Sequence, residues 1–189
     1  MAHIDLRVDE QQFPGIAGLM RYRPETAKPI GELTDLLLHA PHSLPAGDRE
    51  LIGAYVSGLN ECTFCRDSHS MIAATHLDAG LPLVRQVLAD PDTAPISPKL
   101  RALLRIAAAV QRSGREVTTE MVEAARTEGA TDLEIHDTVL ITAAFCMANR
   151  YVDGLGTLAL DAPEQYEEAA KGIVAGGYAM RLVPGAAGT

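Results

Sequence analysis

Tryptophan is absent from this chain, and aromatic residues make up only 4% of its 189 positions. Alanine, leucine and glycine are plentiful instead, a balance that suits close-packed helices better than a β-sandwich. Basic residues are outnumbered: 16 Lys and Arg against 25 Asp and Glu leave a formal net charge of -9. No basic patch is present, which excludes the phosphate-backbone grip of a nucleic-acid binder. Long apolar runs are missing as well. The longest, Val139 to Ala148 with Thr142 inside it, is far too short to cross a bilayer, so no membrane partner is expected. The first residues lack a basic start followed by an apolar stretch, so no secretory leader is expected and the cytoplasm is the expected compartment. Cysteine is scarce too, at three residues, and in the cytoplasm structural disulfides are rare.

Period-two alternation is also missing, so no segment reads as a strand, and no internal repeat is visible. The expected fold class is all-α, with residues 1–189 forming one helical domain. Residues 1 to about 30, interrupted by Pro14, Gly15, Pro24 and Pro29, read as an extended arm with at most a short turn near Ile16 to Met20. Glu32 to His39 reads as a short amphipathic piece. Pro45 suits a first helical turn, and the helix it opens runs to Gly58 or Leu59. Within it Glu50, Ala54 and Gly58 recur every four residues, so a carboxylate heads a column of small side chains that admits a neighbouring helix. The next helix is expected from Glu61 or Cys62 to a stop at Gly80. Ser97-Pro98 caps a helix closed by Gly114, and Thr118 caps another ending at Glu128 and Gly129. Thr131 to Glu134 has capping-box form and opens the longest apolar helix, to about Asp153. Ala162 to Lys171 reads as the last helix, and the glycine-rich tail from Gly176 as a second arm.

Two of the three cysteines, Cys62 and Cys65, stand three residues apart, with His69 four residues further on. On a helix this spacing puts all three on one face and leaves the cysteines close enough for a disulfide to open and close without backbone movement. At a helix N-terminus both thiols should be biased toward thiolate. His69, at i+4 from Cys65, is placed to deprotonate it. Cys62, nearer the helix end, reads as the exposed partner suited to disulfide exchange. Glu50 on the preceding helix can orient His69, or can be a solvated first-turn acid; both readings stand at this point. Cys62, Cys65, His69 and Glu50 could in principle surround zinc, although the second ligand pair usual in structural zinc sites is lacking. His76 lies on the same face and reads as a capping or interface histidine. Cys146, inside the apolar run, reads as a buried inert thiol. His39, His42 and His136 have no partner that spacing reveals.

Glu50, then Cys62-Thr63-Phe64-Cys65, then His69, on consecutive helices of a small all-α chain, resembles the alkylhydroperoxidase D and carboxymuconolactone decarboxylase superfamily. The run from Arg49-Glu50-Leu51-Ile52 to Asn60-Glu61-Cys62 resembles its peroxidase-related branch in particular. The motif covers about Arg49 to His76. The resemblance implies a trimer or hexamer and a thiol peroxidase acting on a hydroperoxide with an external dithiol reductant, without bound cofactor or metal. Cys65 would attack the peroxide, Cys62 would resolve, and His69 and Glu50 would move protons. One departure stands out: the family's second histidine, immediately before the distal cysteine, is Phe64 here. That departure motivates a different class of function, a non-enzymatic redox sensor or assembly protein whose disulfide state alters subunit packing. Carboxymuconolactone decarboxylases proper lack the cysteine pair, so that activity is disfavoured.

Overall fold

The computed structural model describes residues 1–182, and side chains as far as residue 178. Among these residues it is all-α, without strands. In chain order come α1 (Ile16–Tyr22), α2 (Pro24–Thr34), a π-helical turn (Asp35–His39), α3 (Ala46–Leu59), α4 (Thr63–His76), α5 (Gly80–Ala89) and α6 (Pro98–Arg112). They are followed by α7 (Thr119–Thr127), α8 (Asp132–Gly154), a 3-10 turn (Pro163–Tyr166) and α9 (Glu167–Leu182). No helix among the described residues is long and apolar enough to cross a membrane.

The caps anticipated from sequence form. The Ser97 and Thr118 hydroxyls accept from the amides of Leu100 and Met121 at 3.1 and 3.3 Å. At the head of α8, Thr131 Oγ1 accepts from Glu134 N at 3.2 Å while Glu134 Oε2 accepts from Thr131 N at 2.8 Å. Each such cap stabilises its helix by about 1 kcal/mol.

Three expectations are corrected. Within the expected arm, residues 16–22 and 24–30 are helical rather than extended: Pro24 sits at the first helical position of α2, where its missing N–H costs nothing, and Ala27 is buried. Gly80 starts α5 instead of ending α4: α4 stops at His76, Leu77 is extended, and the left-handed Gly80 (φ 56°) turns the chain. The last helix does not end at Lys171 but continues to Leu182, interrupted at Gly177 (φ 79°, ψ 176°). Residues 176–182 therefore do not form an arm; residues 183–189 of that expected tail lie outside the described residues.

The core joins α3, α4, α6 and α8 through side chains such as Leu51, Ile52, Leu103, Leu104 and Ile141. A smaller cluster gathers Leu6, Leu19, Phe64, Val152 and Tyr166 around the two motif cysteines. The link between α3 and α4 is a Schellman turn: Cys62 N donates to Ser57 O and Glu61 N to Gly58 O, both at 3.0 Å. Its left-handed position, φ 59°, is held by Glu61 where glycine is usual, at a cost of about 1 kcal/mol. That tight reversal folds α4 back along α3 and sets Cys62 as the cap of α4. The close helix approach anticipated along the small-residue column occurs one position aside, at Gly53: a Cβ there would stand 2.3 Å from the Phe145 ring, whereas Gly58 has only ordinary contacts.

Candidate functional site

The acid and the imidazole of the motif meet. Glu50 is buried within α3, and its Oε2 lies 2.7 Å from His69 Nδ1 on α4. The reading of Glu50 as a solvated charge is thereby overturned. Its other oxygen is also satisfied: Tyr178 of α9 donates its hydroxyl to Oε1 at 2.6 Å. An uncompensated carboxylate would be very costly in this interior, and two donors plus the adjacent buried Arg49 supply the compensation. Arg49 itself donates to the carbonyls of Leu37 and Ala40, both at 2.8 Å, and so satisfies the end of the π-helical turn.

His69 is held on two faces. Phe145 of α8 meets it edge-on with ring centres 4.6 Å apart, and Tyr178 lies nearly parallel at 5.9 Å and 19°. With Nδ1 directed at the carboxylate, Nε2 is the nitrogen left for proton transfer.

Cys62 and Cys65 are free thiols in mutual contact. The expectation that Cys62 is the exposed member is contradicted, since it is 0% exposed and Cys65 3%. Leu6, Leu19 and Val152 belong to the cluster that encloses the pair. The expected bias toward thiolate is also reversed at Cys65. Its ionisation is pushed well up, first by the hydrogen bond to Cys62 and then by burial, against a hydrogen bond from Asn149 that favours the thiolate. At Cys65 the contact with Cys62, and then burial, outweigh the helix N-terminus.

Cys65 and His69 line one narrow, mostly apolar cavity of about 60 Å³ together with Phe64, Phe145 and Tyr178. Among the described residues no hydrogen bond joins the thiol to the ring. A second cavity of about 220 Å³, walled by Phe13, Arg21 and Ile173, shares Ile16, Phe64, His69 and Tyr178 with the first. Phe64 packs edge-on against Tyr166 at 5.6 Å, and Gly15 (φ 58°) makes room for it, since a Cβ there would overlap the ring. No group of three or more His, Cys, Asp or Glu among the described residues is arranged to hold a metal ion.

The remaining histidines lie elsewhere. His76 is exposed in the last turn of α4. His42 Nε2 and His136 Nδ1 pair with Asp137, at 3.1 and 2.7 Å. Cys146 is half-buried, not fully enclosed, and accepts a weak bond from Asn60.

Two residues near the reactive groups escaped the sequence reading. Tyr178 was legible only as a lone aromatic beside paired glycines in an aromatic-poor chain. Asn149, buried on α8, accepts from Asn60 at 2.7 Å, donates to Ser57 at 3.1 Å and contacts Cys65. Its signal was a polar residue directly after the longest apolar run.

No protein-family model matches the sequence, and no curated protein matches it. Solved structures do. One is the alkylhydroperoxidase AhpD core of an uncharacterized peroxidase-related protein from Ralstonia eutropha JMP134: TM-score 0.73, 29% identity, covering 81% of this chain and 79% of that one. Another is an uncharacterized peroxidase-related protein from Silicibacter sp. TM1040: TM-score 0.76, 21% identity, covering 88% and 94%. The chain has the alkylhydroperoxidase D core fold and matches the peroxidase-related branch of the superfamily that its Glu50, Cys62, Cys65 and His69 motif resembles.

Proposed function

We propose that this protein is a thiol-dependent peroxidase that reduces hydroperoxides through a Cys62/Cys65 dithiol–disulfide cycle. The observation that carries the reading is the Glu50–His69 hydrogen bond, 2.7 Å, behind a cavity that Cys65 lines. The names of the similar structures agree with an oxidoreductase of this kind.

At rest Cys65 is a thiol, because Cys62 and burial oppose its ionisation. His69 Nε2 takes the proton, through a water where the ring and sulfur do not touch, and Glu50 steadies the imidazolium. The thiolate attacks the distal peroxide oxygen. An S–O bond forms, the O–O bond breaks, and the leaving alkoxide takes the proton from His69 to depart as alcohol. Cys62 then attacks the sulfenic acid; the S–S bond forms and the hydroxyl leaves as water. An external dithiol, oxidised to its own disulfide, returns both thiols. Because Cys62 is fully enclosed, this attack is directed at the Cys65 sulfur through the cavity, not at Cys62 as the sequence suggested.

The test is consumption of tert-butyl hydroperoxide with dithiothreitol by wild type, Cys65→Ser and Cys62→Ser. Loss of turnover in both, with a sulfenic acid trapped only in Cys62→Ser, is the expected result. Undiminished turnover without Cys65 would sink the proposal. A redox sensor would instead show reversible oxidation and an altered oligomer size with negligible turnover. A homo-oligomer in the cytoplasm remains the expected setting, to be checked by light scattering and by localisation of the tagged protein.

A further inference from the structure

We propose that Tyr178 is a positioning residue for the Glu50–His69 pair, delivered by the C-terminal helix, and that it keeps His69 in the tautomer whose Nε2 is bare. The inference deepens the peroxidase reading and rests on it for the identity of the reaction, but not for its own test.

Tyr178 carries one hydroxyl proton, and its oxygen stands 2.6 Å from Glu50 Oε1 and 3.3 Å from His69 Nδ1. The shorter contact takes the proton. The other carboxylate oxygen, 2.7 Å from Nδ1, is then satisfied only if Nδ1 bears hydrogen. Were Tyr178 Oη missing, Glu50 would have one donor for two oxygens. The carboxylate would then no longer be fixed with Oε2 on the imidazole, and where it swings away from Nδ1 nothing holds the ring hydrogen there rather than on Nε2. A ring with hydrogen on Nε2 cannot accept a thiol proton there.

Placement of the tyrosine is over-determined. Gly177 breaks α9 at φ 79°, and a Cβ there would lie 2.8 Å from Asp35 Oδ1. The same oxygen accepts the Tyr178 amide at 2.5 Å. The π-helical turn thus anchors the backbone, while the ring, 3% exposed, lies alongside His69. Burial first, and then the charge of Glu50, push the phenol well above its usual ionisation range, so it remains a donor at every assay pH. Among the described residues, the titratable groups around this cluster include Glu50 and Arg49 on α3, Cys62, Cys65 and His69 on α4, Asp35 on the π-helical turn and Tyr166, which lines the second cavity. Asp153 and Asp137 on α8 act on Cys65 and Arg49, and Arg21 on α1 borders the second cavity.

The experiment compares wild type with Tyr178→Phe, which keeps the ring. Cys65 alkylation by iodoacetamide is followed against pH and resolved by tandem mass spectrometry. The acid limb should move to higher pH by about one to two units and the neutral-pH rate fall about ten- to a hundredfold. Tyr178→Phe added to Glu50→Gln should slow alkylation no further than Glu50→Gln alone. Nitrogen NMR of His69 in the wild type, which needs no variant to fold, should show hydrogen on Nδ1. Hydrogen on Nε2, or a pH profile that Tyr178→Phe leaves in place, would overturn the proposal. If the wild type reduces no peroxide while these shifts occur, the peroxidase reading falls and the role of Tyr178 stands.

Discussion

Replacing Glu50 by glutamine changes one atom and almost no volume, yet it reverses the chemistry of a group that is 2% exposed. The carboxylate accepts from His69 Nδ1 and from Tyr178 Oη, at 2.7 and 2.6 Å. Glutamine offers one acceptor and one NH2 donor to the same two partners. If its oxygen keeps the imidazole, its NH2 meets the Tyr178 hydroxyl, which must turn its proton away. If it keeps the tyrosine, the NH2 drives the imidazole to its other tautomer, and the proton acceptor is lost. In both arrangements the imidazolium formed on deprotonating Cys65 lacks a negative charge behind it. A hydrogen bond to a charged group contributes about 1.5–3 kcal/mol, so thiolate formation should fall about 10- to 150-fold. The assay is the alkylation rate of Cys65 at pH 7 beside single-turnover reduction of tert-butyl hydroperoxide, with unfolding in denaturant to confirm a folded variant. Both rates should fall together. A folded Glu50→Gln protein that alkylates within threefold of wild type would refute the reasoning, because the carboxylate would then be structural.

Cys62→Ala removes the first cause of the raised Cys65 ionisation, so alkylation of Cys65 near neutral pH should quicken while multiple-turnover peroxide reduction stops; slower alkylation contradicts the assignment. Asn149→Leu takes away the bond that favours the thiolate and should slow the same reaction, measured at matched pH. Gly53→Ala places a methyl against Phe145, 2.3 Å from Cζ, and overpacking of this kind costs about 1–3 kcal/mol, read as a lowered denaturation midpoint. Because Phe145 also braces His69, peroxide turnover should fall more than in an equally destabilised variant remote from the site. The Tyr166 phenol is pushed up to about 12, chiefly by burial. Its neutral form is the one the fold favours, so the stability it contributes is intact below pH 10 and is lost as pH rises from about 10 toward 12. Tyr166→Phe should flatten denaturant midpoints across that window, and an unchanged slope would assign the alkaline loss to Cys65 and Tyr178.

What could be read from the sequence was local. Cap, capping box and cysteine spacing are relations between residues within one or two turns: Ser97 and Thr131 cap where these relations put them, while Cys65 and His69 share a helix that Cys62 caps. The prolines of residues 1–30 misled because a proline breaks a helix or begins one depending on position, and Pro24 begins one. A helical wheel identifies the face carrying the two sulfurs but not what covers it, so Cys62, expected to be exposed, is fully enclosed and Cys65 is buried beside it. The partners of the acid and the thiol come from far away: Tyr178 is 128 residues from Glu50, and Asn149, which bonds Cys65, comes from α8. Phe64 is where the chain departs from the motif it resembles. Where the resembled family carries a histidine, this chain has a ring wedged between Gly15 and Tyr166, with no proton to give or take. On the reading proposed here, the third polar member of the relay enters instead from α9, on the far side of His69. The departure at Phe64 therefore moves the relay's support from the cysteine helix to the C-terminal helix, and peroxide reduction should depend on Tyr178 and the Gly177 break that delivers it.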